Sequence, residues 1–122
     1  MIDTECFQVE QSGNITIVRL EDSRYFDTDK YAQFQQDLLG FVEREQPTML
    51  LVDLSNLVYL STALTNTLLI AQRRVHANYG KMKLFGLNET VREALQHLRL
   101  IDTVLAVYPS ETAAKNAVDS ML

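Results

Sequence analysis

The chain has 122 residues, enough for one domain with its own core, and its sixteen acidic against eleven basic residues leave no positive field for nucleic acid or anionic headgroups. Cys6 is the only cysteine, the polar and acidic start is unlike a secretory signal, and every apolar run is far shorter than the roughly 20 residues that span a bilayer. We therefore expect a cytoplasmic, single domain over residues 1–122 that binds no nucleic acid and does not insert into a membrane.

The first predicted elements are a hairpin and a helix. Two β-type segments, residues 6–11 and 14–20, flank a turn at Ser12-Gly13. The helix follows the polar stretch EDSRYFDTDK, where Asp27 or Thr28 can act as its N-cap. Its apolar positions recur at helical spacing: Tyr31, Phe34, Leu38, Phe41 and Val42.

A central strand and a second helix come next. Gly40 weakens the first helix without ending it, and Pro47 ends it. The segment TMLLVD has the continuous apolar character of a strand that is covered on both faces. The second helix is predicted over residues 62–78, with Gly80 as its stop. Its apolar stripe consists of Leu64, Leu68, Ala71 and Val75.

The last third of the chain predicts a strand, a short helix, a strand and a final helix. The strands are KMKLFGL and TVLAVY. Asn88 caps the short helix, whose Val91, Leu95 and Leu98 are expected to face inward. Ser110 caps the last helix. That helix carries Ala113, Ala114, Ala117 and Val118.

The predicted element order is therefore β-β-α-β-α-β-α-β-α. Strands that are separated by helices need right-handed crossovers, whereas the opening hairpin adds an antiparallel edge. We expect an α/β fold with a mixed, mostly parallel sheet and helices packed on it. In such sheets binding sites gather at the carboxyl ends of the strands, and the segment after TMLLVD starts there.

That segment, LLVDLSNLVYLSTALTNTLL, together with the element order, resembles the STAS domain, the fold of bacterial anti-sigma factor antagonists that is also found in sulfate transporters. The family's central strand continues as Asp-Leu-Ser, passes a hydrophobic step with an aromatic residue, and reaches Asp-Ser-Ser-Gly-Leu-Gly before a Leu-rich helix. The matching residues here are Asp53, Leu54, Ser55, Leu57, Tyr59, Leu60, Leu68 and Leu69. Two further segments, ANYGKMKLFGLNETVREAL and VYPSETAAKNAV, are similar to the rest of the family pattern.

The chain departs from the family at the phosphate acceptor. The alignment without gaps places Ser61 and Thr62 before the usual acceptor position, which is occupied by Ala63. Leu64 and Asn66 replace the family's two glycines. In the family, phosphorylation by a partner kinase releases the domain from its anti-sigma factor.

Two interpretations of the hydroxyls follow. The favoured one is that Ser61 or Thr62 simply N-caps the helix, a contribution of roughly 1 kcal/mol. The other is that Thr62 is a relocated phosphoacceptor, followed as candidates by Ser61, Thr65 and Thr67. In either case the apolar residues 57–60 are expected to anchor the turn against the sheet.

The resemblance implies a protein-binding regulatory module that switches partners with a kinase-like anti-sigma factor or related sensor, and that is not an enzyme. The expected contact residues are Tyr59 beneath the helix, Ser61, Thr62, Ala63, Thr65, Asn66 and, in the turn at residues 86–90, Asn88. Arg19 is expected at the opposite edge. Alternatives are an accessory subunit of a membrane lipid or solute transporter, and a scaffold in a stress-sensing complex that cannot be phosphorylated because of Ala63.

No other group of residues in the sequence predicts a catalytic, metal-binding or cofactor-binding site. His76 and His97 lie in separate helices with no metal-ligand spacing, so we expect no metal. Phosphate-binding glycine loops and nucleophile motifs do not occur in the sequence, and we expect no cofactor. Asp53 ends a central strand, but the acidic pair and the lysine of a response-regulator receiver are missing, so Asp53 is expected to be a hydrogen-bonding residue of the strand end.

Overall fold

The computed structural model describes residues 7–21, 28–101 and 104–117, which form five strands and four helices in the predicted order. The strands are β1 (Phe7–Ser12), β2 (Ile15–Leu20), β3 (Met49–Asp53), β4 (Lys81–Phe85) and β5 (Ala106–Tyr108). The helices are α1 (Thr28–Glu45), α2 (Thr62–Ala77), α3 (Glu89–His97) and α4 (Glu111–Asn116). The predicted α/β architecture is confirmed.

The strands lie side by side in chain order, β1-β2-β3-β4-β5. β1 and β2 form the antiparallel hairpin, whose turn places Gly13 in the left-handed region with φ 62°. The other neighbouring strands are parallel, as crossovers through helices require. β3 is the central strand, and all five of its residues are buried.

Because side chains alternate along a strand, β3 contributes to a core on each face of the sheet. Leu50 and Val52 belong to the larger core, which α1, α2 and α3 cover. Met49 and Leu51 belong to the smaller core on the other face, where Ala114 of α4 packs. The helices contribute Phe34, Leu38, Phe41, Val42, Leu64, Leu68, Ala71, Val75, Val91 and Leu95 to the larger core.

Several element ends differ from the prediction. β5 is only three residues long, shorter than the predicted TVLAVY. Cys6, Asp27 and Val118, to which the sequence assigned roles in elements, lie outside the described residues. Within the described part of the chain, no helix combines the length and the hydropathy of a transmembrane span.

At the end of α2, Gly80 is required because there is no room for a side chain, and not because glycine can adopt a left-handed conformation. Tyr79, and not Gly80, adopts the left-handed conformation, with φ 65°. The Gly80 amide then donates to the carbonyl oxygen of Val75 at 2.9 Å. A Cβ on Gly80 would lie 2.5 Å from the backbone oxygen of Pro47. Glycine is therefore needed here because the backbone preceding β3 passes so close.

The prediction that Leu98 faces inward is wrong. α3 ends at His97, Leu98 is its C-cap, and Arg99 turns the chain with φ 58°. The helical period no longer applies beyond that point, so the Leu98 side chain is 55% exposed.

Candidate functional site

Ser61 is the N-cap of α2. Its backbone is extended, and its Oγ accepts a hydrogen bond from the Leu64 amide at 3.0 Å. The Ser61 carbonyl oxygen accepts from the Thr65 amide at 3.0 Å and from Thr65 Oγ1 at 2.9 Å. Ser61 thereby satisfies orphan donors of the first turn, as a residue of its type does at this position.

The hydroxyls of the first two turns of α2 differ in accessibility. Thr62 is exposed, as are Ala63 and Asn66. Thr65 is only 4% exposed, and Thr67 is fully buried. The structure therefore does not place Thr65 on the surface where we expected it to contact a partner, and Thr62 is the accessible threonine of the group.

The carbonyl group of Ala63 is held by α1. Tyr31 OH donates to the Ala63 oxygen at 2.6 Å, and Thr67 Oγ1 lies 3.2 Å from the same oxygen. The two hydroxyl groups also share a hydrogen bond with each other. The sequence predicted that Tyr31 lies on the apolar face of its helix but did not predict this contact. The spacing of apolar residues does not show which group the phenol hydroxyl contacts.

The apolar residues before α2 do not act together. Leu57 is buried and closes the turn against the core, and Leu60 is half-buried. Val58 and Tyr59, by contrast, are 60% and 52% exposed. The expectation that all four residues anchor the turn is wrong for this middle pair, and Tyr59 lies on the surface rather than beneath the helix.

Asn88 joins the β4–α3 turn to the segment before α2. Its Oδ1 accepts from the Val91 amide at 2.8 Å, which makes it the N-cap of α3. Its Nδ2 donates to the backbone oxygens of Leu57 at 2.9 Å and Val58 at 3.4 Å. The turn at residues 86–90 therefore adjoins the start of α2, and Asn88 acts by fixing one loop to the other.

A shallow groove of about 460 Å³ runs between α2 and α3 beside this point. Its lining includes Leu60, Thr62, Thr90, Glu93, His97 and Leu98. We define the α2 surface as the exposed side chains around the groove and the helix start: Val58, Tyr59, Thr62, Ala63, Asn66 and Leu98. Val58 and Leu98 were not predicted, because the sequence treats both as core positions.

The sequence suggested that Arg19 lies at the opposite edge of the sheet from the start of α2. The structure shows that it does not. It pairs with Asp53 across two parallel strands, so it sits at the same carboxyl edge as α2's start, on the face that α4 covers. Its guanidinium donates to Asp53 Oδ2 at 2.9 Å, Glu10 Oε1 at 2.7 Å and Glu111 Oε1 at 3.1 Å. Partial burial lowers the pKa of Arg19, but these three carboxylates outweigh it and hold that pKa above its ordinary value.

Asp53 in turn fixes Ser55, two residues further along the chain. Its other oxygen accepts from the Ser55 amide at 2.9 Å and from Ser55 Oγ at 2.6 Å. Gly86 approaches this turn so closely that a Cβ would lie 3.0 Å from Ser55 Cβ. Asp53 is thus a hydrogen-bonding residue of the strand end, as its position indicated.

The described residues hold no cluster of three His, Cys, Asp or Glu side chains that could bind a metal ion. What the described residues do bring together is an exposed apolar and hydroxyl-bearing surface on a fixed pair of loops. Such a surface suits recognition of another macromolecule.

The model of the STAS domain family matches residues 7–114. The chain belongs to the STAS domain family. None of the curated proteins matches the sequence.

Solved structures share this STAS fold at low sequence identity. An anti-sigma factor antagonist from Mycobacterium paratuberculosis is 20% identical, with a TM-score of 0.74 over 92% of each chain. The anti-sigma factor antagonist SpoIIAA of Bacillus, in its unphosphorylated form, is 19% identical, with a TM-score of 0.73 over 95% of this chain and 98% of that one. A chain of the stressosome, a signal integration and transduction hub, is 18% identical, with a TM-score of 0.71 over 89% of this chain and 93% of that one.

Proposed function

We propose that this STAS domain is a cytoplasmic, protein-binding regulatory module that exchanges partners with a kinase-like anti-sigma factor or a related sensor. The observation that carries the proposal is the exposed pair Val58 and Tyr59 just before α2, together with Leu98, which is exposed in the groove that Leu60 and Thr62 also line. Aromatic and aliphatic side chains grouped around a groove are typical anchors of a protein interface. The role is binding without turnover.

The start of α2 also favours a negatively charged group of the partner. The first turn carries no acidic side chain, so the partial positive charge of the helix N-terminus is not neutralised by the helix itself. A carboxylate of the partner would meet exposed amide groups beside Thr62 and Ala63. A charge added to the domain at the same place would oppose that contact.

The proposal also includes regulation by phosphorylation of a hydroxyl group at the start of α2. The family acceptor position is an exposed alanine, so it offers no oxygen to a kinase. Thr62 precedes it and is exposed, whereas Ser61 Oγ is engaged as the N-cap and Thr65 and Thr67 are buried. Thr62 is therefore the first candidate for a relocated acceptor and Ser61 the second.

The placement of the interface is tested with the anti-sigma factor encoded in the same genome. Thr62→Asp should raise the dissociation constant measured by calorimetry about tenfold or more, because it adds charge inside the contact. Thr112→Asp is the matched control, since Thr112 is an exposed threonine in the first turn of α4 on the other face of the sheet. Tyr59→Ala should weaken binding by a similar factor through lost apolar contact.

The proposal fails if Thr62→Asp and Thr112→Asp change the dissociation constant equally, or if neither Tyr59→Ala nor Leu98→Ala changes it. Thermal denaturation of each variant separates lost contact from lost fold. Substitutions at such exposed positions should change the free energy of unfolding little.

A second candidate is a scaffold of a stress-sensing complex, and Ala63 is the observation that favours it. A domain without an acceptor would stay bound to its neighbours. Incubation with the candidate kinase and ATP, followed by intact mass spectrometry, discriminates the two. A phosphate on Thr62 supports switching, and an unchanged mass alongside tight binding supports the scaffold.

A further inference from the structure

We infer that the groove between α2 and α3 receives a helix of the binding partner, in which lysine or arginine residues flank an aliphatic stripe. This rests on the proposed function, because the groove adjoins the α2 surface, and it adds the kind of segment that is recognised. The groove is open, because most of the side chains that line it are exposed: Thr62, Thr90, Glu93, His97 and Leu98. A side chain of another protein can therefore enter it.

The walls of the groove are helices, and this favours a helical occupant. The backbone groups inside α2 and α3 are paired within each helix, so the groove offers no free strand edge to an extended peptide. Leu60, which packs against the larger core, and Leu98 give it aliphatic side chains. The Asn88 bridge to the Leu57 oxygen holds α3 beside the segment before α2. The groove is thus preformed, and a partner helix can pack its own aliphatic side chains between the two walls.

Glu93 makes the groove select a cation. Other acidic side chains of the described surface already lie in ion pairs: Glu10, Glu43, Glu45 and Glu111. Among the described residues, by contrast, no basic side chain forms an ion pair with Glu93. A lysine or arginine of the partner would supply this counter-ion while its aliphatic stem lies in the groove with Leu98.

The two walls differ in charge, and this sets the order of charges on the partner. On the α2 side, Thr62 belongs to a first turn that carries no acidic side chain, so the positive end of the helix dipole favours a carboxylate there. On the α3 side, Glu93 favours a cation. The partner helix should therefore direct an acidic residue toward Thr62 and its basic residues toward Glu93.

Two synthetic peptides of about 14 residues test the inference, because shorter helices are largely unfolded in water. Both carry leucines on one stripe of an alanine-rich helix, flanked by lysines in the first peptide and by glutamates in the second. Each is titrated into the 15N-labelled protein at pH 8, where histidine side chains carry little charge. The lysine peptide should bind saturably and at least tenfold more tightly than the glutamate peptide. It should shift the amide signals of Glu93, Ala94 and Leu98.

Charge reversal at Glu93 locates the cation. Glu93→Lys should weaken binding of the lysine peptide about tenfold and should strengthen binding of the glutamate peptide. Glu45→Lys is the matched control, because it makes the same change of net charge at an exposed position of α1. It should change neither affinity by more than about twofold.

Equal effects of Glu93→Lys and Glu45→Lys would overturn the inference, because the peptide would then respond only to the net charge. Equal affinity for the two peptides, an absence of saturation, or shifts that centre outside the groove would also overturn it. So would a dimer of the free protein that Glu93→Lys dissociates, since the groove would then belong to a second copy of the chain.

The anti-sigma factor of the same genome separates this inference from the proposed function. If Tyr59→Ala weakens its binding and Glu93→Lys does not, the α2 surface is the interface and the groove does not select a cation. If the lysine peptide binds as expected but the anti-sigma factor does not bind, the proposed function fails and the specificity of the groove stands.

Discussion

Two neighbouring hydroxyl residues at the start of α2 have different tasks in the structure. Ser61 makes the capping hydrogen bond to the Leu64 amide, while Thr62 is exposed to solvent. The sequence could not assign the cap to one of them, because both residue types are good N-caps and the helix could begin at either. The backbone conformation of Ser61 decides the question.

Replacement of Ser61 tests this assignment. Ser61→Ala should lower the free energy of unfolding by about 1 kcal/mol, because the Leu64 amide loses its acceptor. Ser61→Asp should retain stability, since a carboxylate also caps the helix and is favoured at its N-terminus. Urea denaturation measures both, with Thr62→Ala as the neighbouring control. A larger loss in Thr62→Ala than in Ser61→Ala would contradict the assignment.

Contacts of single side chains were the least predictable part of the candidate site. Tyr59, Thr62, Ala63 and Asn66 are exposed around the start of α2, where the family resemblance expected a contact surface. Thr65 is buried, because the helical period turns it inward beside Leu64. Whether the exposed residues bind a partner stays a prediction.

At the level of the elements, the sequence predicted the periodic apolar positions within helices and strands well. It predicted the ends of the elements and the loop residues poorly. The apolar stripe of α2 and the continuous run of β3 occupy the core as expected. Leu98 shows the limit, because it continues the helical period after the helix has ended. Val58 and Tyr59 show another, because an apolar run in a loop has no period that could separate buried from exposed positions.

The two helix-associated glycines should respond in opposite ways to alanine. Gly40→Ala should raise the free energy of unfolding by about 0.5–1 kcal/mol, because the position is inside α1 and the added Cβ meets nothing within 4 Å. Gly80→Ala should lower it by about 1–3 kcal/mol, because the Cβ would press on the Pro47 oxygen and force the backbone to move. Denaturant unfolding measures the pair. Destabilisation by both would show that Gly40 also has a packing role.

For the whole molecule, the mostly parallel sheet with an antiparallel edge followed from the alternation of strands and helices, whereas the ion pairs across the sheet did not. Arg19 is 34 residues from Asp53 and 92 residues from Glu111 in the sequence. The partner of a charged strand-end residue depends on which strands become neighbours and where the last helix packs. Neither is visible in the local pattern around Arg19.

These ion pairs make stability depend on pH. The Lys115 ammonium and then the Arg19 guanidinium lower the pKa of Glu111 below its ordinary value of 4.5. A carboxylate with a lowered folded-state pKa stabilises the fold above the unfolded-state pKa, and this contribution is lost as the pH falls through the folded-state value. We therefore expect the free energy of unfolding to decrease as the pH falls below about 4.5 and through the lowered folded-state pKa of Glu111.

Arg19→Met should reduce this decrease without abolishing it, because Lys115 remains beside Glu111 at 3.0 Å. It should also lower stability at pH 7 by about 1–3 kcal/mol, because the buried Asp53 carboxylate loses its cation. Urea unfolding across the pH range measures both effects. Lys115→Met is the control, and it should leave the Asp53 pair intact. An unchanged pH dependence in Arg19→Met would show that Arg19 does not lower the pKa of Glu111 in solution.

The two loops that support the α2 surface are tied to each other by backbone and amide contacts. The Leu54 amide donates to the Phe85 oxygen at 3.0 Å, and Asn88 bridges to Leu57. Little conformational entropy then remains to be lost when a macromolecule arrives, so encounter can proceed as rigid-body association in a single kinetic step. For the proposed exchange of partners, differences in affinity would then reside mainly in how long each complex persists.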